Sequence, residues 1–164
     1  MYYINLFFFF SFIGFIYENI IRFIPDLEFD SGFMYGPWIP IYGFAIFLII
    51  IVDKFLKKQK FIKMLEIVLF FVIITILVTI LEYIGGHIVY LITKEHYWDY
   101  SWSRFNFGKY ICLEISIVWG IFATLINYLV YPKIQKIIKR IPQALTLTLI
   151  SFFLLDLIIT ITTK

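Results

Sequence analysis

Long apolar runs separated by short polar connections dominate this chain. A membrane-spanning helix needs about 20 largely apolar residues, and five stretches meet that length, at about 2–24, 38–56, 64–88, 110–131 and 144–162. The pattern predicts an all-α, polytopic membrane helix bundle of about five transmembrane helices, with residues 1–164 forming a single transmembrane domain. The first run lacks a basic leader and a small-residue cleavage site, and it carries Glu18 and Arg22 near its far end. It is therefore expected to be a retained span and not a signal peptide. No internal repeat supports an inverted-repeat transporter within one chain.

Composition narrows the class. Hydrophobic residues make up 62% of the chain, against about 45–50% in an average soluble domain. Aromatic residues reach 22% and charged residues only 15%, the reverse of a disordered chain. A soluble domain this apolar would expose aggregating patches. One cysteine, Cys112, leaves no disulfide framework and no thiolate metal cluster.

Charge sets the expected orientation. Lys54, Lys57, Lys58, Lys60 and Lys63 lie between spans two and three, and Lys133, Lys136, Lys139 and Arg140 between spans four and five. Nine of the 14 Lys and Arg residues thus fall in two short alternate loops, which the positive-inside rule assigns to the cytoplasm. The N-terminus is expected inside and the C-terminus outside, in a multi-pass protein of the cell membrane. The first outer connection carries Asp26, Glu28 and Asp30. A net charge of +3 then reports topology and not nucleic-acid binding.

The informative residues are those that do not belong in lipid. An ionised carboxylate at mid-bilayer costs roughly 2.5–3.5 kcal/mol on insertion scales, so such groups usually face protein, water or a partner. Ser11, Gly14, Glu18 and Arg22 share one face of span one, and Glu18 and Arg22 have the spacing of an i,i+4 ion pair. Thr75, Thr79, Glu82 and Gly86 form a stripe on span three, and Ser116, Gly120, Thr124 and Asn127 one on span four. Small and hydroxylated residues at this spacing let helices approach closely and hydrogen-bond. With the orientation above, Glu18, Glu82, Glu114 and Asp156 all fall in the outer half, and a polar cavity open to the outside is their simplest common cause. Glu18 and Glu82 carry most of that reading, with Arg22 or Arg104 as the alternative counter-ion. Glu114 stands off its helix's polar stripe, and Asp156 has only Thr160 and Thr163 near its face.

Two connections add chemistry. Residues 32–43 hold Gly32, Gly36, Pro37, Pro40, Tyr42 and Gly43, which cannot form an unbroken helix, yet the segment is too apolar for a solvated loop. A re-entrant or broken-helix entry to span two is expected; the plainer alternative is a tight interfacial turn. Residues 93–109 alternate aromatic and polar side chains, including His96, Trp98, Asp99, Tyr100, Ser101, Arg104 and Asn106. This suits a lid on the membrane surface, locked by Asp99 with Arg104. Closeness in sequence does not make Ser101, His96 and Asp99 a hydrolytic triad. His87 and His96 lack a recognisable metal-ligand spacing, so neither catalytic nor metal-binding residues are expected.

At these residues the chain resembles the bacterial CmpB-type ABC-transporter permease family. The resemblance rests on Ser11 to Gly14 followed by Glu18, on Gly36-Pro37 and Pro40 to Gly43, and on Glu82-Tyr83. It continues through Trp98 to Ser101, Asn106, Gly108, Ile111 to Leu113, Ser116 and Trp119-Gly120. It covers about residues 11–120 and implies a small polytopic permease of the bacterial inner membrane. It raises the weight of Glu18, Glu82, Trp98, Asp99, Tyr100, Ser101 and Asn106; Glu114 stands where the family carries an apolar residue. No G-x-x-x-x-G-K-[ST] phosphate loop is present. No cofactor is expected in this chain, and ATP would enter only through a separate cytoplasmic ATPase docking on loops 53–63 and 132–143. Five spans are few for a pathway, so a homo- or hetero-oligomer is expected. The leading expectation is a permease or substrate-binding subunit with an outward-facing cavity lined by Glu18 and Glu82. The alternatives are an outer-leaflet enzyme acting on a lipid or isoprenoid-linked substrate, and a non-catalytic accessory subunit.

Overall fold

A computed structural model describes residues 1–22 and 32–164. Asp26, Glu28 and Asp30, together with the Arg22 side chain, lie outside the described part. The helices are α1 (Tyr2–Arg22), α2 (Pro40–Lys58), α3 (Lys63–Thr93), α4 (Leu113–Leu125), α5 (Tyr131–Ile138) and α6 (Gln143–Thr163). A π-helical turn, Ile126–Val130, joins α4 to α5 in one continuous rod. Among the described residues, four helical stretches are long and apolar enough to cross a membrane: Tyr2–Ile21, Lys63–Thr93, Leu113–Ile138 and Gln143–Thr163. The chain is a multi-pass membrane protein. The second expected span corresponds to α2, whose last two turns hold Asp53, Lys54, Lys57 and Lys58.

Two boundaries differ from the sequence expectation. The apolar run continues past residue 88, and α3 ends only where Lys94 takes a left-handed conformation (φ 61°) with its amide bonded to the Tyr90 carbonyl. At the other site, Ile111 and Cys112 do not open α4. They form a strand, β2, that pairs antiparallel with β1 (Asn106–Phe107) around Gly108, whose φ is +66°. β-Branched Ile111 and a left-handed glycine make a hairpin locally better than a helical turn. Among the described residues the all-α architecture therefore carries one small β-hairpin.

In a bilayer, helices associate through close packing and interhelical hydrogen bonds. Here the small residues of the predicted stripes make the contacts. A Cβ on Gly120 of α4 would overlap Thr75 Oγ1 of α3, and one on Gly43 of α2 would meet Ser11 and Phe7 of α1. Gly14 is likewise covered by the Tyr42 ring. Leu6, Phe10, Ile46, Ile49, Phe70 and Ile74 fill the space between α1, α2 and α3.

Tyr2 OH bonds Tyr131 OH at 3.2 Å, Thr146 Oγ1 bonds Asn5 Oδ1 at 2.6 Å, and Lys54 Nζ bonds Tyr3 OH at 3.2 Å. These contacts gather the start of α1, the end of α2, α5 and the start of α6 at one end, where both lysine-rich segments lie. The hairpin marks the opposite end. Residues 32–39 are non-helical and packed, with Met34 and Trp38 buried against Phe8 of α1 and Phe153 of α6. The Ile39 amide donates to the Ser11 carbonyl, midway along α1, and Pro40 then opens α2, where its missing N–H costs nothing.

Candidate functional site

The buried stripe of α3 runs through Phe70, Ile74, Val78, Glu82 and Gly86 at four-residue steps. Thr75 and Thr79 flank it, each returning its hydroxyl to a carbonyl one turn back, at 2.6 and 2.7 Å. The stripe carries Glu82 into the protein interior, where it is 6% exposed. Its Oε1 accepts from the Tyr100 hydroxyl at 2.9 Å and from the Trp119 indole at 3.4 Å. Its Oε2 is buried and has no hydrogen-bond partner among the described residues.

Glu18, half-buried on α1, accepts from Tyr42 OH of α2 at 2.5 Å. The Tyr42 ring meets Trp119 of α4 edge-on, with centroids 5.5 Å apart, and Tyr17 closes the group at 6.0 Å from Trp119. Four helices and one loop thus converge, with Tyr42 and Trp119 standing between the two carboxylates. Burial pushes the Tyr100 phenol well above the usual tyrosine range, and the negative charges of Glu82 and then Glu18 push it further. Tyr100 therefore stays a neutral donor. The two acidic groups are served by phenol and indole donors, and the buried Glu82 Oε2, without a donor among the described residues, is chemically able to accept a proton or a further hydrogen bond.

The connection that carries Tyr100 is anchored through Tyr110. The Tyr110 ring lies against Gly86, where a Cβ would stand 2.5 Å from it. Its hydroxyl shares a 2.8 Å hydrogen bond with His96 Nδ1, and its carbonyl accepts from the Trp98 indole at 3.1 Å. The Tyr100 amide bonds the Lys109 carbonyl at 2.7 Å.

The remaining sequence candidates lie elsewhere. Asp99 is not locked to Arg104. Its Oδ1 accepts from the Ser101 amide at 2.8 Å, and Lys109 stands 3.9 Å from Oδ2. The bonds from Ser101 hold the Asp99 carboxyl below its ordinary range. A two-residue Asx-type turn satisfies this carboxylate more readily than a long side chain five positions on. Arg104 lies over the Phe105 ring at 5.6 Å. Asn106 bonds Gly108 within the hairpin, and Glu114 accepts from Ser103 Oγ at 2.7 Å.

Asp156 of α6 is buried in a separate place. It accepts from the amides of Tyr35 and Gly36 at 3.2 and 2.9 Å and from the Trp38 indole at 2.6 Å, so it ties residues 35–38 to α6. The pattern around it in sequence, Thr160 and Thr163, gives no sign of these partners.

Sequence reasoning also passed over a polar group at the lysine-rich end. Buried Asp53 of α2 accepts from Asn127 Nδ2 at 2.9 Å and from Lys57 Nζ at 2.7 Å. Glu66 of α3 accepts from Lys63 Nζ at 2.7 Å and from Tyr128 OH at 3.2 Å. Both carboxylates thus hold the π-helical turn, a geometry often found at functional positions. A charged residue at the end of an apolar run was the available signal.

A family described as "Putative ABC-transporter type IV" matches residues 5–161. No curated protein and no solved structure matches the chain.

Proposed function

Because the chain belongs to this ABC-transporter family, over nearly its whole length, we propose that it is the membrane permease or substrate-binding subunit of a transporter, and that Glu18 and Glu82 line its substrate site. The observation that carries this reading is the buried Glu82 carboxylate, whose Oε1 takes two donors while its Oε2 takes none. A buried acceptor without a partner costs about 1–3 kcal/mol, and a cationic or hydrogen-bond-donating substrate offsets that cost on binding. Tyr42 and Tyr100 hold the two carboxylates in place, and the 98–106 connection acts as the lid through Tyr100 and Trp98.

In this reading residues 1–164 form one transmembrane domain that crosses the bacterial inner membrane five times. α2 is the fifth span, with its charges at the lysine-rich, cytoplasmic end. The hairpin end faces outward, and residues 32–39 form a re-entrant segment supported by the Ile39–Ser11 bond and by Asp156. A separate ATPase docks on the loops at 53–63 and 132–143 and supplies the ATP chemistry. The working permease is an oligomer.

The test is uptake by membrane vesicles containing the chain and its native partners. Glu18→Gln and Glu82→Gln each abolish uptake that wild type supports. Unchanged uptake in both variants refutes the site.

A further inference from the structure

Beyond the end of α6 an ammonium group sits among acceptors from two other segments of the chain. Lys164 Nζ donates to the Phe33 carbonyl at 3.0 Å, to the Gly32 carbonyl at 3.3 Å and to Tyr97 OH at 3.0 Å. It also lies 4.9 Å from the centroid of the Tyr35 ring. A primary ammonium has three donors and no acceptor, so these oxygens match its full donor set. The ring adds a cation–π contact inside the usual limit of about 6 Å.

Each wall of this receptor has a support other than the lysine. Asp156 Oδ1 accepts from the Tyr35 amide at 3.2 Å, and Asp156 Oδ2 from the Gly36 amide at 2.9 Å. The Tyr35 hydroxyl shares a 3.0 Å hydrogen bond with Thr163 Oγ1. The Phe33 ring meets the Tyr97 ring edge-on, with centroids 6.5 Å apart, which joins the 32–35 segment to the connection after α3. Lys164 is therefore the occupant of a preorganised receptor and not its scaffold.

That occupant is exchangeable. Lys164 and Tyr35 are both exposed, so an outside amine can reach the ring. An exposed lysine gains little net from such contacts, because ordering its long stem offsets much of what they contribute. The three oxygens are neutral, so selection falls on N–H donors, and each methyl group added to the nitrogen removes one.

We propose that Gly32, Phe33, Tyr35 and Tyr97 form a binding site for a primary ammonium group. Lys164 fills it in cis, and a free alkylammonium or the ethanolamine headgroup of a lipid takes it when Lys164 leaves. The site uses neither Glu18 nor Glu82 and holds whether or not that pair carries substrate.

The test is the melting temperature of the full chain in lipid-free detergent micelles, wild type against Lys164→Met, titrated with ethylammonium or tetramethylammonium chloride. Ethylammonium raises the melting temperature of Lys164→Met by a few degrees more than that of wild type, whose site is filled. Ammonium bound at Glu18 and Glu82 shifts both proteins alike, so the difference reads this site. Tyr97→Phe added to Lys164→Met keeps the ring, deletes one acceptor and removes most of the extra shift. A parallel arm adds phosphatidylethanolamine or its trimethylated counterpart phosphatidylcholine to the micelles. An extra shift with ethylammonium assigns a soluble amine, and one with phosphatidylethanolamine alone assigns a lipid headgroup. No extra shift with either primary amine, or an equal one with tetramethylammonium, overturns the site. Acylation of the wild-type lysines, followed by mass spectrometry, checks the occupancy without a variant at 164. Lys164 reacts several-fold more slowly than exposed Lys58, and equal rates overturn the occupancy in cis.

Discussion

Trp38 donates its indole N–H to Asp156 at 2.6 Å, across 118 positions of sequence, and the same carboxylate takes the amides of Tyr35 and Gly36. Asp156 therefore supplies acceptors that a non-helical segment inside a membrane protein otherwise lacks. Asp156→Leu strands three donors, each costing about 1–3 kcal/mol if it stays unmet. The expected result is a clear fall in the melting temperature in detergent and faster proteolysis within residues 32–39. Asp156→Asn keeps one acceptor oxygen and falls between the two. A Leu variant as stable and as protease-resistant as wild type contradicts the role.

Gly120 and Thr75 define the α3–α4 crossing. A methyl at Gly120 overlaps Thr75 Oγ1, and overpacking of this kind costs about 1–3 kcal/mol. Gly120→Ala lowers thermal stability, and adding Thr75→Ala restores part of the loss because the overlapping oxygen is removed. Simple additivity of the two changes would show that the helices do not cross there.

Tyr100 gives a pH dependence with a definite sign. Its phenol titrates well above the ordinary value of about 10 because it is buried beside Glu82. A group whose folded value is raised contributes stability that is fully present below the unfolded value. That contribution is lost as pH rises above about 10, where the unfolded chain releases the proton first. Melting temperature measured from neutral to strongly alkaline pH falls beyond that point, and Tyr100→Phe makes the fall shallower. An identical alkaline slope in the variant contradicts the buried donor.

The Asn127–Asp53 bond is the corresponding test at the lysine-rich end. Asn127→Leu removes the donor and leaves Asp53 Oδ1 buried without it, at a cost of about 1–3 kcal/mol. Replacing both partners by leucine is less costly than the sum of the single changes, because no polar group is left stranded. A double-mutant cycle on thermal stability checks this; independent effects contradict the pairing.

Much of the architecture is legible in the sequence because lipid imposes length and apolarity directly. α6, at Gln143–Thr163, differs from the expected 144–162 by one residue at each end. Gly14 and Gly120 of the small-residue stripes also sit where helices meet, and Gly86 sits where the Tyr110 ring packs on α3. What the pattern hides is the partner of each carboxylate. Spacing offers Arg22 to Glu18 one turn on, whereas the described partner is Tyr42, on the next helix. Asp99 and Arg104 look like a pair along the chain, yet a turn with Ser101 satisfies the acid locally. Asp53 reads as the edge of a basic loop, but α2 runs on to Lys58 and buries it. Helical periodicity assigns a face; only packing between distant segments assigns the donor.

The central claim is that Glu18 and Glu82 serve one site. Its most direct measurement is the thermal shift of the purified chain in a panel of alkali, divalent and organic ammonium cations, compared with Glu18→Gln, Glu82→Gln and the double variant. Binding to the folded state alone raises the melting temperature. The account predicts that a cation stabilising wild type loses its effect in each single variant, and that the double variant loses no more. Full stabilisation retained by either single variant would contradict it.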